Sequence, residues 1–132
     1  MTITTALIAF CGMTIFALAL EIMYTYATQG FGFGFSSNRP MIERSPLALR
    51  IQRAYQNQVE SAAYILPAFV AAALAGLSGP LVEFAALAII AGRFAFLILY
   101  YSGVPFLRLL GFIAGTMGSL FLCYLAVTAL VV

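Results

Sequence analysis

Arg50, Arg53, Asn57 and Glu60 stand three, four and three residues apart. On a helix of ~3.6 residues per turn, that spacing lines two cations, an amide and a carboxylate along one stripe, while Ala, Val, Leu and Ile fill the other faces. The segment reads as a membrane span, where a central charge costs roughly 2.5–3.5 kcal/mol on insertion scales. A chain escapes that cost when such residues pair, face a polar cavity or do chemistry, so the stripe is the first candidate for a functional site. Gln52, Gln56 and Gln58 lie beside it and are expected to face water or neighbouring backbone.

The elements that position the stripe follow from composition. Of the 132 residues, 64% are hydrophobic and 8% charged, and the mean hydropathy is +1.09. A soluble domain of this composition would expose large apolar patches, so the chain reads as an all-α integral membrane protein. At ~20 apolar residues per span there is room for a single domain, residues 1-132, with four transmembrane helices. These are expected at about 3-27, 46-76, 81-101 and 106-131. The first is too long for a signal-peptide core and lacks a basic leader, so it reads as a retained helix. The stretch from Gly30 to Pro40, with three phenylalanines among glycines, reads as a loop that touches lipid or a neighbour. Gly76 to Pro80 and Ser102 to Pro105 read as tight turns, and such short connections imply an antiparallel bundle.

Six arginines stand against four glutamates, with no Lys, Asp or His. That leaves neither a nucleic-acid footprint nor a His-based metal site, and no metal is expected. Cys11 and Cys123 lie in apolar stretches without CxxC spacing and read as packing residues. Arg39, Arg44, Arg50 and Arg53 flank the first connection and Arg108 follows the third, while the second carries no positive charge. Loops 1 and 3 are therefore expected on the cytoplasmic side and both termini on the opposite side. Gly111-x-x-x-Gly115 in the fourth helix is a pattern that lets helices approach closely, within the subunit or between subunits.

Arg93 lies mid-way along the third helix and Tyr100 seven residues later, close to two turns, so the two share a face. The antiparallel topology brings Arg50, Arg53 and Asn57 to the same half of the bundle as Tyr100, Tyr101 and Arg108. With both sets in view, the sequence resembles the membrane-associated proteins in eicosanoid and glutathione metabolism, the MAPEG family. Arg53-Ala54-x-x-Asn57-x-x-Glu60 is similar to that family's second-helix signature, and Arg93-x6-Tyr100 followed by Arg108 to its third-to-fourth-helix signature. The resemblance covers nearly the whole chain.

What the resemblance implies is a homotrimer of four-helix bundles, with glutathione bound as cosubstrate between neighbouring subunits and a lipophilic small-molecule substrate arriving from the bilayer. Carried over by position, Arg53, Asn57 and Glu60 would bind the tripeptide's polar groups, with Arg93 and Tyr100 in the same binding set, and Arg108 would stabilise the thiolate. Lowering a thiol pKa of ~8.5 by two units needs ~2.7 kcal/mol of preferential thiolate stabilisation, within reach of one desolvated guanidinium. Phe96 and Leu109 depart from the patterns of the leukotriene- and prostaglandin-synthase branches, which argues for a general bacterial-type member, placed in the bacterial inner membrane. The first helix also has no basic residue to assist with a carboxylate. Two alternatives stand beside this reading. Arg53, Glu60, Arg93 and Glu21 could form an ion-pair network that fixes packing, with Arg108 a positive-inside anchor. The chain could also be a catalytically silent accessory subunit of a larger membrane complex.

Overall fold

The computed structural model describes residues 1–131. Thr2 caps α1 (Ile3–Gln29) by accepting a hydrogen bond from the Thr5 N–H at 3.2 Å, which satisfies one of the free donors of the first turn. A short helix α2 (Phe31–Phe35) follows, where the sequence predicts only a loop. Its physical basis is aromatic: Phe31 and Phe35, one turn apart, both pack on Tyr26, with ring centroids at 5.3 and 5.8 Å. The Arg39 guanidinium also donates to the Gly34 carbonyl at 2.6 Å.

Ser45 caps α3 (Pro46–Leu74), accepting from the Ala48 N–H at 3.2 Å, and Pro46 sits in the first turn where its missing N–H is harmless. The Ser45 hydroxyl also meets the Tyr24 hydroxyl at 3.3 Å, which ties the start of α3 to the end of α1. Next come α4 (Pro80–Ser102) and α5 (Leu107–Val131). Gly103 ends α4 in the left-handed region at φ 79°, a conformation that glycine adopts without steric cost. The long helices otherwise start and stop within two residues of the expected positions.

The chain is an integral membrane protein: α1, α4 and α5 are each long and apolar enough to cross a membrane. Among the described residues α3 is not, because its polar stripe dilutes its apolar content, so length and composition give three spans where four are expected. Thr14 of α1 bonds Gln58 of α3 while Tyr24 bonds Ser45, so these two helices run antiparallel. Along α5, Gly111 faces Gly92 and Gly118 faces Ile89, so α4 and α5 are antiparallel as well. The Met1 ammonium meets Glu83 at the start of α4, so α1 and α4 are parallel.

The interior is layered along the bundle axis. At the end that carries the N-terminus, Ala6, Phe10, Ile65, Phe69, Ala86, Ile89 and Leu122 form the main apolar core. At the opposite end a smaller cluster of Ala17, Ala54 and Leu97 packs with Tyr55, Tyr100 and Tyr101. A polar layer lies between them.

The glycine pattern of the fourth predicted helix marks a contact inside the subunit. A Cβ added at Gly111 would lie 2.5 Å from the Gly92 carbonyl oxygen and 3.0 Å from the Phe96 nitrogen, so the backbones of α4 and α5 touch there. Gly111→Ala is expected to destabilise the fold by about 1–3 kcal/mol through overpacking against main-chain atoms. Gly12→Ala should be neutral or slightly stabilising, since nothing lies within 4 Å of the added methyl. Unfolding titrations in detergent, followed by helicity, check the contrast.

Candidate functional site

Arg93 of α4 is fully buried, at 0% exposure, and no carboxylate pairs with it among the described residues. Its charge is met by two amides on α3. Nε and Nη2 donate to Gln58 Oε1 at 3.1 and 2.9 Å, and Nη1 donates to Asn57 Oδ1 at 3.0 Å. The guanidinium also stands 4.6 Å over the Phe96 ring. Gly115 makes this possible from behind, since a Cβ there would lie 3.0 Å from the arginine Cδ.

Because a guanidinium can only donate, it dictates the polarity of the rest of the layer. Gln58 must turn its carbonyl oxygen to Arg93, so its NH2 donates to Thr14 Oγ1 at 3.2 Å. The Thr14 hydroxyl, having accepted, donates onward to the Phe10 carbonyl at 2.9 Å. Asn57 likewise spends its oxygen on Arg93 and keeps its NH2 for another partner.

Asn57 is also a wall of a polar cleft of about 340 Å³, together with Arg53, Gln56, Glu60 and Tyr100. The helical spacing explains the convergence: Arg53, Asn57 and Glu60 rise on one flank of α3, and Tyr100 closes the cleft from α4. Arg53 and Glu60 are exposed, so the cleft opens outward from the chain. It offers a guanidinium, a carboxylate, two amides and a phenol within one small volume.

Arg93 does not line the cleft; it stands behind Asn57. Arg108 does not line it either. The Arg108 guanidinium lies 4.4 Å over the Tyr100 ring, and its side chain borders a separate cavity of about 280 Å³ with Phe96, Pro105, Phe106, Leu109 and Phe112. Tyr100 is therefore the link between Arg108 and the cleft, and Phe96, at 5.3 Å from Tyr100, the link from Tyr100 to Arg93.

The sequence model of the MAPEG family matches residues 2–128, nearly the entire chain. The chain belongs to the MAPEG family. No curated protein and no solved structure matches it.

For this MAPEG chain, several sequence expectations change on the structure. The ion-pair network of Arg53, Glu60, Arg93 and Glu21 is not formed among the described residues, where the one salt bridge joins the Met1 ammonium to Glu83 at 3.5 Å. Arg93 is satisfied by neutral amides instead. Gln58 does not face water: it is fully buried and carries two of the Arg93 hydrogen bonds. A signal for it was present, because Ile51, Ala54, Gln58, Ser61, Ile65 and Ala68 are spaced three and four apart along the core-facing side of α3, and Gln58 interrupts that run mid-way. Gln56, expected to face water or neighbouring backbone, lines the cleft. Cys11 is exposed and Cys123 only partly buried, so neither is a fully packed residue.

Proposed function

We propose that this MAPEG protein is a glutathione-dependent transferase or peroxidase acting on lipophilic electrophiles that reach it from the bilayer. The observation that carries the reading is the shared cleft of Arg53, Asn57, Glu60 and Tyr100, whose groups complement a peptide bearing carboxylates, amides and an ammonium. Arg53 suits a carboxylate through a two-point fork, Glu60 the ammonium, and the free NH2 of Asn57 a peptide carbonyl. Arg93 acts as a positioning residue by fixing which end of Asn57 faces the ligand.

In the transferase reaction the thiol loses its proton to solvent at the cleft mouth. The sulfur then forms a bond to the electrophilic carbon as the leaving group, or the adjoining π bond, takes the electron pair. With a hydroperoxide, sulfur attacks the distal oxygen to give an alcohol and a sulfenic acid, which a second thiol converts to disulfide and water. In this scheme Arg108 supplies the charge that holds the thiolate.

The assembly in this reading is a homotrimer in which a neighbouring copy covers the exposed flank of α3. That packing would carry α3 across the membrane as a fourth span despite its stripe, and its 29 residues reach about 44 Å, more than a bilayer core requires. Loops 1 and 3 would face the cytoplasm, the side on which glutathione is supplied. A second reading, a silent accessory subunit, is favoured by one observation: Arg108 does not line the cleft. Native mass spectrometry in detergent separates the two. A trimer that retains glutathione supports the enzyme, and a strictly monomeric species that still binds it ends the intersubunit scheme. In the same experiment Glu60→Gln should weaken retention of the intact tripeptide far more than that of its desamino analogue, whereas equal losses would make Glu60 structural.

A further inference from the structure

Apart from the polar cleft, an apolar groove of about 620 Å³ lies between α1 and α4, lined by Met13, Phe16, Leu20, Phe94, Leu97 and Tyr101 among others. It runs from Gly12 to Leu20 along α1 and from Phe94 to Ser102 along the parallel α4, so its length is about 12 Å. That is close to the thickness of one hydrocarbon leaflet, about 15 Å. It begins near the middle of the two spans and ends where α4 stops.

Two buried polar atoms at this end have no hydrogen-bond partner: the Tyr101 hydroxyl and Arg50 Nε. Tyr101 lines the groove. Arg50 lies against Gly103, the residue after the last one lining the groove, where a Cβ would sit 3.0 Å from its Nη1. The arginine nitrogen can only donate, and the phenol has a proton to give, so what both lack is an acceptor. Glu21, the residue after the last one of α1 that lines the groove, accepts from the Thr25 hydroxyl through Oε1 at 3.4 Å.

We infer that this groove binds a single acyl chain of an anionic amphiphile, a fatty acid or an acidic phospholipid, with the head group accepting hydrogen bonds from Tyr101 and Arg50. The shared chemistry is one hydrocarbon chain ending in a carboxylate or phosphate. The site does not depend on the glutathione reading. Tyr100 serves the polar cleft and Tyr101 this groove, and consecutive residues on a helix point about 100° apart.

The chain contains no tryptophan, so a single one placed in the groove reports from it alone. Phe16→Trp in phosphatidylcholine vesicles is titrated with three brominated quenchers: dibromostearic acid, phosphatidic acid carrying one dibromostearoyl chain, and dibromooctadecane, which has no head group. Leu120→Trp, exposed on α5, reports ordinary lipid contact.

Phe16→Trp should be half-quenched by at least one anionic probe at a mole fraction at least ~10-fold lower than Leu120→Trp requires, a preference of one decade in affinity. Whichever anionic probe shows it identifies the source as free acid or phospholipid. Tyr101→Phe in the Phe16→Trp background should weaken that probe by roughly 10-fold, as for one hydrogen bond to a charged group, and leave dibromooctadecane unchanged. Gly12→Phe, which fills the groove from a position with free space around it, should abolish the preference. Equal quenching at the two tryptophans overturns the inference, as does a preference for the headless probe or indifference to Tyr101→Phe. Absence of quenching at Phe16→Trp by every probe also overturns it, since a second copy of the chain would then cover the groove.

Discussion

Arg108→Ala should slow glutathione-dependent turnover at neutral pH by at least ~10-fold, corresponding to a loss of more than ~1.4 kcal/mol of stabilisation, and leave assembly intact. The proposed role of Arg108 is to favour the thiolate over the thiol. Without it the bound thiol's pKa rises toward the unperturbed ~8.5, so the thiolate absorbance seen on mixing protein with glutathione disappears at neutral pH. The sign of the pH dependence follows: raising the pH deprotonates the thiol without the guanidinium and should partly rescue the variant. The geometry adds a second readout. Arg108 stands over the Tyr100 ring, and Tyr100 lines the cleft, so Arg108→Ala also frees Tyr100 and should raise the KM for glutathione. A variant that keeps both the thiolate signal and the rate would reduce Arg108 to a topological anchor. The enzyme reading would then be abandoned, since Arg93 is buried behind Asn57 and does not reach the cleft.

The second large effect is on stability. Gln58→Leu removes the acceptor of two Arg93 hydrogen bonds and strands a buried cation that has no carboxylate partner among the described residues. A loss of about 3 kcal/mol or more is expected, because an unsatisfied buried charge costs more than the bond that satisfied it was worth. Arg93→Met added to Gln58→Leu removes the charge along with its acceptor and should recover most of that loss. Helicity followed through a denaturing-detergent titration measures both variants. If the double variant is no more stable than Gln58→Leu alone, the Arg93–Gln58 contact is not what holds the middle of the bundle.

Arg53, Asn57 and Glu60 were legible as a group because helical periodicity alone places residues at these spacings on one flank. The long helices were legible because apolar runs of sufficient length are separated by the Gly30 to Pro40 stretch and by the turns at Gly76 to Pro80 and Ser102 to Pro105. The short helix α2 was not, because its glycines argue against a helix and what holds it is the packing of Phe31 and Phe35 on the Tyr26 ring at the end of α1.

The sequence by itself determined the family, the all-helical membrane class and the identity of most cleft residues, because these depend on composition and on spacing within one helix. Only the tertiary structure decided which polar groups meet. The sequence left Arg93 with carboxylates as its natural partners, since opposite charges attract at any spacing. In the fold, the crossing of α4 over α3 puts Gln58 and Asn57 within reach, and the lack of side chains at Gly92, Gly111 and Gly115 lets α5 close against it. Hydrogen-bond partners between helices are set by the rotation and depth at which the helices pack. Those depend on the shapes of all the side chains at the contact together, and no local spacing rule contains them.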